Sequence, residues 1–378
     1  MQKYRLFIVG AGFSKPAGLP LGAKLLEQVR EWLHAEFQSY GWDGPFEKEI
    51  EEWRKLYPRR RVTLESVMAY SHRKHFLQLI GSDDYFSHGS RTIVAARRAI
   101  QEILTTCTPI TPPSLYTEFV NRITPYDTIL TFNYDTLLED ALDKIGKPYS
   151  LTPEWWLAEH SQQVAQKEFL KRYVEVVKLH GSIDWYDKNY HDEARRYHGE
   201  FGNDVPDNDP IFGSTPSIPF ESLARGEVEN DHGENLLARV FRIPNHRRYF
   251  PLTGKSYTVV PFLLPPAYDK ILGHDPIRDL WRNLHRTLDA YSAIIVIGYS
   301  MPPYDGYAYE ALGYLIASYQ PGGAKTYFGH RRVPIQIITM APSERHVLRS
   351  IPFLKRKQTR VWYQGFNSPS LDWVDWGD

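Results

Sequence analysis

Cysteine is almost missing from this sequence: Cys107 is the only one in 378 residues. An internal disulfide is therefore impossible and a cysteine-rich zinc module is excluded, which fits a reducing compartment and sets the expectation of a cytoplasmic protein. Long apolar runs are missing too. The amino-terminal stretch Leu6–Val9 is far too short for a signal segment, and nothing approaches the run of about 18 apolar residues that spans a membrane. Excess charge is absent as well, because 45 basic and 45 acidic residues cancel. Without surplus Lys and Arg, counterion release has no general source, so neither nucleic acid nor an anionic membrane is expected as a main partner. Hydrophobic residues at 42% and aromatics at 14% nevertheless promise a real core and exclude a disordered or collagen-like chain.

What is present is an alternation of strand-like and helix-like runs. Tyr4–Val9 is rich in β-formers and is closed by Gly10-Ala11-Gly12, after which Leu21, Leu25, Leu26, Val29 and Leu33 recur at helical spacing. Further buried strands are predicted at Thr128–Phe132, Val174–Leu179, Ala293–Ile297 and Pro334–Met340, with a β-rich edge at Thr359–Tyr363. Helices are predicted over Tyr134–Ile145, Asp275–Tyr291 and Gly306–Tyr319. The pattern predicts an α/β fold: a Rossmann-like parallel sheet with helices on both faces, plus a helical module and a polar insertion. The core would occupy 1–40, 111–186 and 257–378, the helical module 41–110, and the insertion 187–256. That insertion is rich in Asp, Asn, Pro, Gly and His and reads mostly as loops, apart from a possible short helix over Glu234–Phe241.

The unusual residues follow the predicted strands directly. In open parallel sheets ligands bind at the carboxyl ends of the strands, so Gly10-Ala11-Gly12, Asn133, His180 and Gly298 are expected to converge on one cleft. Taken singly, each has a plain structural reading. GAGFS suits either a nucleotide phosphate or a tight turn that binds nothing, and the redox fingerprint GxGxxG fails because Lys15 stands at its third glycine. Asn133 and Asp135 in TFNYD could be helix caps, and His180 a satisfied core residue. GYSMP at Gly298–Pro302 is no nucleophile elbow, since Pro302 stands where glycine is required. No metal site is expected.

The four blocks GAGFSKPAGLP, TFNYD, KLHGSIDW and GYSMPPYD, in that order, resemble the sirtuin-like family of NAD-consuming enzymes, particularly its bacterial antiphage-defence branch. The resemblance implies that Gly10, Ala11, Gly12 and Ser14 hold the phosphates of NAD. Asn133 and Asp135 would hold the catalytic water or ribose and the nicotinamide amide, His180 would be the base, and Gly298 and Ser300 would meet phosphate or adenosine ribose. The chain departs from the deacylase pattern in lacking zinc-binding cysteines, in carrying Pro20-Leu21-Gly22-Ala23-Lys24 where deacylases carry a phenylalanine-arginine pair, and in placing Phe132 where they place glutamine. The expectation is an NAD+ glycohydrolase that consumes NAD as substrate. The alternatives are a non-catalytic NAD or ADP-ribose-binding module controlling assembly, and a protein deacylase or ADP-ribosyltransferase. A homo-oligomer and a HerA-like ATPase partner are implied by the resemblance alone.

Overall fold

Runs that are apolar on both faces become strands of a parallel sheet, because the crossover helices cover it from both sides. In the computed structural model these are β1 (Tyr4–Val9), β2 (Asp127–Thr131), β3 (Tyr149–Ser150), β4 (Val174–Lys178), β9 (Tyr291–Ile297), β10 (Ile335–Ile338) and β11 (Thr359–Trp362). They form one seven-stranded parallel sheet in the order β11-β10-β9-β1-β2-β4-β3. A second, antiparallel sheet contains β5 (Gly181–Asp187), β6 (Glu221–Ser222), β7 (Val240–Arg242) and β8 (Pro261–Leu263), in the order β6-β7-β5-β8. The structure describes residues 3–38, 44–77, 79, 91–152, 173–200, 210–213, 216–223, 236–253, 259–264, 277, 280–281, 284, 290–301, 305–320, 325–326, 329–351 and 353–376.

The described helices are α1 (Ala11–Ser14), α2 (Gly22–Gln38), α3 (Pro45–Leu56), α4 (Leu64–Phe76), α5 (Arg91–Cys107), α6 (Ser114–Arg122), α7 (Leu137–Lys144), α8 (Lys188–Glu200), α9 (His246–Thr253), α10 (Gly306–Tyr319), α11 (Glu344–Ser350) and α12 (Ser368–Trp373). The expected Rossmann-like parallel sheet flanked by helices is present. The region read as a helical module does carry helices, α3 to α5, and α5 buries Ile93, Ala96, Ile100 and Leu104 along one stripe. Gln101 on the same helix donates from Nε2 to the Ile183 carbonyl at 2.6 Å and to the Tyr186 hydroxyl at 2.7 Å, tying that helix to β5.

Two local expectations are corrected. The segment after Asp187 is not mostly loop among its described residues, since it contains α8, β6, β7 and α9. The helix expected over Glu234–Phe241 is, in its described part, a 3-10 turn at Leu236–Arg239 followed by β7. Its residues alternate, with Val240 and Arg242 buried, and β7 pairs with both β5 and β6, so tertiary pairing overrides local helical character. The helix expected over Asp275–Tyr291 lies largely outside the described residues, and its last residue, Tyr291, instead begins β9.

The amino-terminal edge of the sheet is locked by a buried ion pair. Arg5 on β1 donates from Nε to Asp127 Oδ1 at 2.7 Å and from Nη2 to Oδ2 at 2.5 Å, and the two residues are directly opposite in the β1–β2 register. The remaining Arg5 donors reach the carbonyls of Trp376 at 2.9 Å and Arg122 at 3.1 Å, so the carboxy-terminal segment is fastened to the first strand. Removing one partner of such a pair strands the other as a buried charge. Arg5→Met is therefore expected to lose about 3–5 kcal/mol of stability in urea unfolding, while Arg5→Met with Asp127→Leu recovers most of it. Equal losses in the single and double variants would show that packing, not charge, governs this edge.

Candidate active site

The strand register sets the level of the site. Val9 lies opposite Thr131 on one side and Ile297 on the other, Thr131 lies opposite Lys178, and Ile297 opposite Ile338. The chain therefore leaves β1, β2, β4, β9 and β10 along one edge, on both sides of β1, where the strand order reverses. A cleft of about 490 Å³ opens there and is lined by Ala11, Gly12, Ser14, Asn133, Asp135, His180, Gly298 and Ser300. This volume lies within the range of ligand pockets, about 300–1,000 Å³. Gly10 is the one expected site residue that does not line it; a Cβ there would stand 2.7 Å from the Tyr299 Cα.

The glycine-rich segment is a one-turn helix, α1, rather than an open loop. The N–H groups of Gly10, Gly12 and Phe13 are given to the carbonyls of Ile297, Gly298 and Gly10 at 3.0, 2.9 and 2.8 Å. A Cβ on Gly12 would stand 2.7 Å from the Gly298 Cα, and Gly298 itself has a φ of 62°. Both positions need glycine for the backbones after β1 and β9 to touch.

Ser14 ends α1 facing the exit of β2. Asn133 Nδ2 donates to Ser14 Oγ at 3.0 Å, and Ser14 Oγ donates to Asp135 Oδ2 at 2.9 Å. The other Asp135 oxygen accepts from the Leu137 N–H at 3.1 Å, at the start of α7. The helix expected from Tyr134 thus begins three residues later. Asp135 does serve the helix end with one oxygen, whereas the Asn133 side chain does not cap and holds Ser14 instead. Burial pushes the Asp135 carboxyl above its ordinary range, opposed by nearby Lys178 and by the Ser14 hydrogen bond. Lys178 Nζ donates to the Asp135 carbonyl and to Glu139 Oε1, both at 2.7 Å, so a fully buried Lys–Glu pair underlies the site.

His180 stands where the chain passes from one sheet to the other. Gly181 has a φ of 79°, and a Cβ on it would collide with the Phe262 carbonyl, so the turn into β5 is fixed. His180 Nε2 lies 2.9 Å from Asp305 Oδ2, with both side chains buried; the contact is within ion-pair reach but off the line of an aligned hydrogen bond. Asp305 precedes α10 without capping it through its side chain. The His180 ring packs edge-on to Phe132 at 5.0 Å, and Phe132 stacks flat on Tyr299 at 4.1 Å.

Sequence reasoning missed Asp305 and Glu65 as members of this cleft. Asp305 closes the block GYSMPPYD, so its signal was available in the motif. Glu65 sits in the first turn of α4, where an acidic residue ordinarily reads as helix-end chemistry, and nothing local distinguishes it. Among the described residues no group of three or more His, Cys, Asp or Glu side chains is arranged to hold a metal ion, and no helix is long and apolar enough to cross a membrane.

No curated protein matches the chain. Among solved structures, the chain is similar to the structure of Sir2Tm bound to a propionylated peptide, at a TM-score of 0.33 and 11% sequence identity, over 98% of this chain and 92% of that one. Residues 127–203 match the family model of the SIR2-like domain. That stretch carries Asn133, Asp135 and His180.

Proposed function

We propose that the cleft binds NAD+ as substrate and hydrolyses it to nicotinamide and ADP-ribose. The observation that carries this reading is that Asn133, Asp135 and His180, all inside the SIR2-like segment, face one cleft together with Ser14 from the turn after β1. The assignment is Asn133 and His180 as catalytic residues, with Gly10, Ala11, Gly12, Ser14, Asp135, Gly298 and Ser300 on the substrate-binding side. Gly10 acts there by seating Tyr299, and the others from the cleft wall.

In this reading Asn133, with one N–H committed to Ser14, uses its second N–H and its carbonyl oxygen to orient a water. The water oxygen bonds to C1′ of the ribose. The bond from C1′ to the pyridinium nitrogen breaks, its electron pair goes to that nitrogen, and the water's proton passes to His180. Nicotinamide leaves neutral, so little acid catalysis is needed, and the cost lies in stabilising the oxocarbenium-like ribose and placing the nucleophile. Asp305 keeps the imidazole in place and stabilises its protonated form. With the activity goes the setting implied by the resemblance: a cytoplasmic, homo-oligomeric NADase of antiphage defence, held in check by oligomerisation or by a HerA-like ATPase partner.

Incubation with NAD+ and identification of the products tests the reaction directly. His180→Ala and Asn133→Ala are each expected to slow nicotinamide release about 100-fold or more while the melting temperature and most NAD+ affinity remain, because both act in the transition state. A fully active His180→Ala protein would return that residue to a structural role. A separate test uses pH. The Ser14 hydroxyl favours the Asp135 carboxylate, so Ser14→Ala raises that carboxyl further above its ordinary range. If ionised Asp135 is needed, activity lost on acidification is lost at higher pH in Ser14→Ala, and the acid limb of the rate profile shifts upward. An unmoved limb detaches Asp135 from the reaction.

A further inference from the structure

The wall of the cleft contains a carboxyl group that the proposed reaction does not use. Glu65 comes from α4, far in sequence from every block described above, yet it lines the cleft with His180 and Asp305. Its plain structural role is to serve the start of α4, where its own backbone amide and Thr63 donate to it, but that role leaves one of its oxygens unused. Thr63 accepts from the Ser66 N–H at 3.1 Å and Ser66 Oγ accepts from the Thr63 N–H at 3.0 Å, a closed capping box without Glu65. The Oε2 atom of Glu65 is shielded from solvent and has no hydrogen-bond partner among the described residues. A buried polar atom left unsatisfied costs about 1–3 kcal/mol, and a fold that retains one needs a reason.

Its surroundings indicate the reason. Burial drives the Glu65 carboxyl above its ordinary range, and the nearby negative charge of Asp305 drives it further, against hydrogen bonds from its own backbone amide and Thr63. Glu65 shares the cleft wall with Asp305 and His180 and is close enough to feel the charge of Asp305, with Oε1 3.3 Å from where a Cβ on Gly22 would stand. The other titratable groups on the cleft wall are Lys15, Tyr134, Asp135, His180, Tyr299, Asp305 and His346. Two neighbouring carboxyls repel a phosphate, and no metal-holding group includes them among the described residues. A neutral hydroxyl, able both to donate and to accept, satisfies such a carboxyl in either protonation state. The terminal torsion of glutamate is broad and roughly two-fold, so a turn about χ3 can present Oε2 to the cleft.

We propose that Glu65 is a ligand-contacting residue whose carboxyl hydrogen-bonds a hydroxyl of the ribose bearing the scissile bond. This rests on the NAD+ reading of the cleft and adds to it a recognition residue supplied by the helices between β1 and β2. The test is calorimetric binding of ADP-ribose and of AMP to the full chain, because AMP lacks that second ribose. Glu65→Leu is expected to weaken ADP-ribose about tenfold, the loss of one hydrogen bond of roughly 1.4 kcal/mol, while leaving AMP unchanged. It is also expected to melt no lower than the parent at pH 8, where an unsatisfied acid with a raised pKa costs stability. Glu65→Gln, which keeps a donor and an acceptor, should restore part of the lost affinity and serves as the second variant if the Glu65→Leu protein does not fold.

Equal ADP-ribose affinity in the parent and Glu65→Leu overturns the proposal, as does equal weakening of ADP-ribose and AMP, which would mark general damage to the cleft. If the parent chain binds neither ligand, the NAD+ reading itself fails and takes this assignment with it. The two failures are thus distinguishable by the parent protein alone.

Discussion

Backbone lies on backbone where Gly12 meets Gly298, and the rest of the site depends on that contact. A side chain at either position would push apart the chain segments leaving β1 and β9, because a Cβ on Gly12 would already stand 2.7 Å from the Gly298 Cα. The contact closes α1 into a single tight turn and brings Ser14 within hydrogen-bond reach of both Asn133 and Asp135. It also sets Tyr299 over Gly10, from where its ring stacks on Phe132 and so reaches the His180 ring. The glycines therefore build the floor against which polar side chains are placed. Their amides are spent largely on that floor, which differs from a loop that simply cradles an anion.

Buried ion pairs lie at this edge of the parallel sheet and in the adjoining antiparallel one. Lys178 and Glu139 are both almost wholly inaccessible and stand 2.7 Å apart. Their pairing joins the last residue of β4 to the first helix after β2, and Lys178 holds the Asp135 carbonyl as well. Asp184 and Arg242 form a second buried pair at 2.9 Å between β5 and β7, holding the Asp184 carboxyl below its ordinary range despite burial. These pairs fix register and orientation. Glu65 Oε2, like Glu139 Oε2 and Asp184 Oδ1, has no hydrogen-bond partner among the described residues, but Glu65 alone of the three lines the cleft, where such strain is retained at functional positions.

The parallel sheet was legible because its strands are buried on both faces: Leu6–Val9 in β1 and Ala293–Ile297 in β9 are unbroken apolar runs, and glycine follows each. Of the residues expected at the strand exits, Ala11, Gly12, Asn133, His180 and Gly298 do line one cleft, joined there by Ser14, Asp135 and Ser300, which the resemblance adds. Alternation over two or three residues is too short a signal to announce β6, β7 and β8, which exist because β5 pairs with its neighbours. The start of α7 was placed too early since Asp135 spends one oxygen on the helix and one on Ser14, a division that only the folded chain makes visible. Glu65 was hidden by distance in sequence. Its meaning comes from Asp305, 240 positions away by number and on the same wall in space.

The charged groups of the cleft suit one orientation of the proposed substrate. Lys15 extends towards the exit of β10, where Nζ lies 3.2 Å from Met340 Sδ, and His346 lines the same side. Carboxyls also line the cleft, where Asp305 holds His180 and Glu65 feels the charge of Asp305. An anionic pyrophosphate is repelled by those carboxyls and favoured near Lys15, whereas a cationic nicotinamide ring and a cationic ribose transition state have the opposite preference. Bond cleavage turns the ring neutral, so the attraction holding it disappears in the same step that creates the product. Attraction that persists in the transition state at C1′ but not for the departing base favours turnover over product retention, which is the differential binding a hydrolase requires.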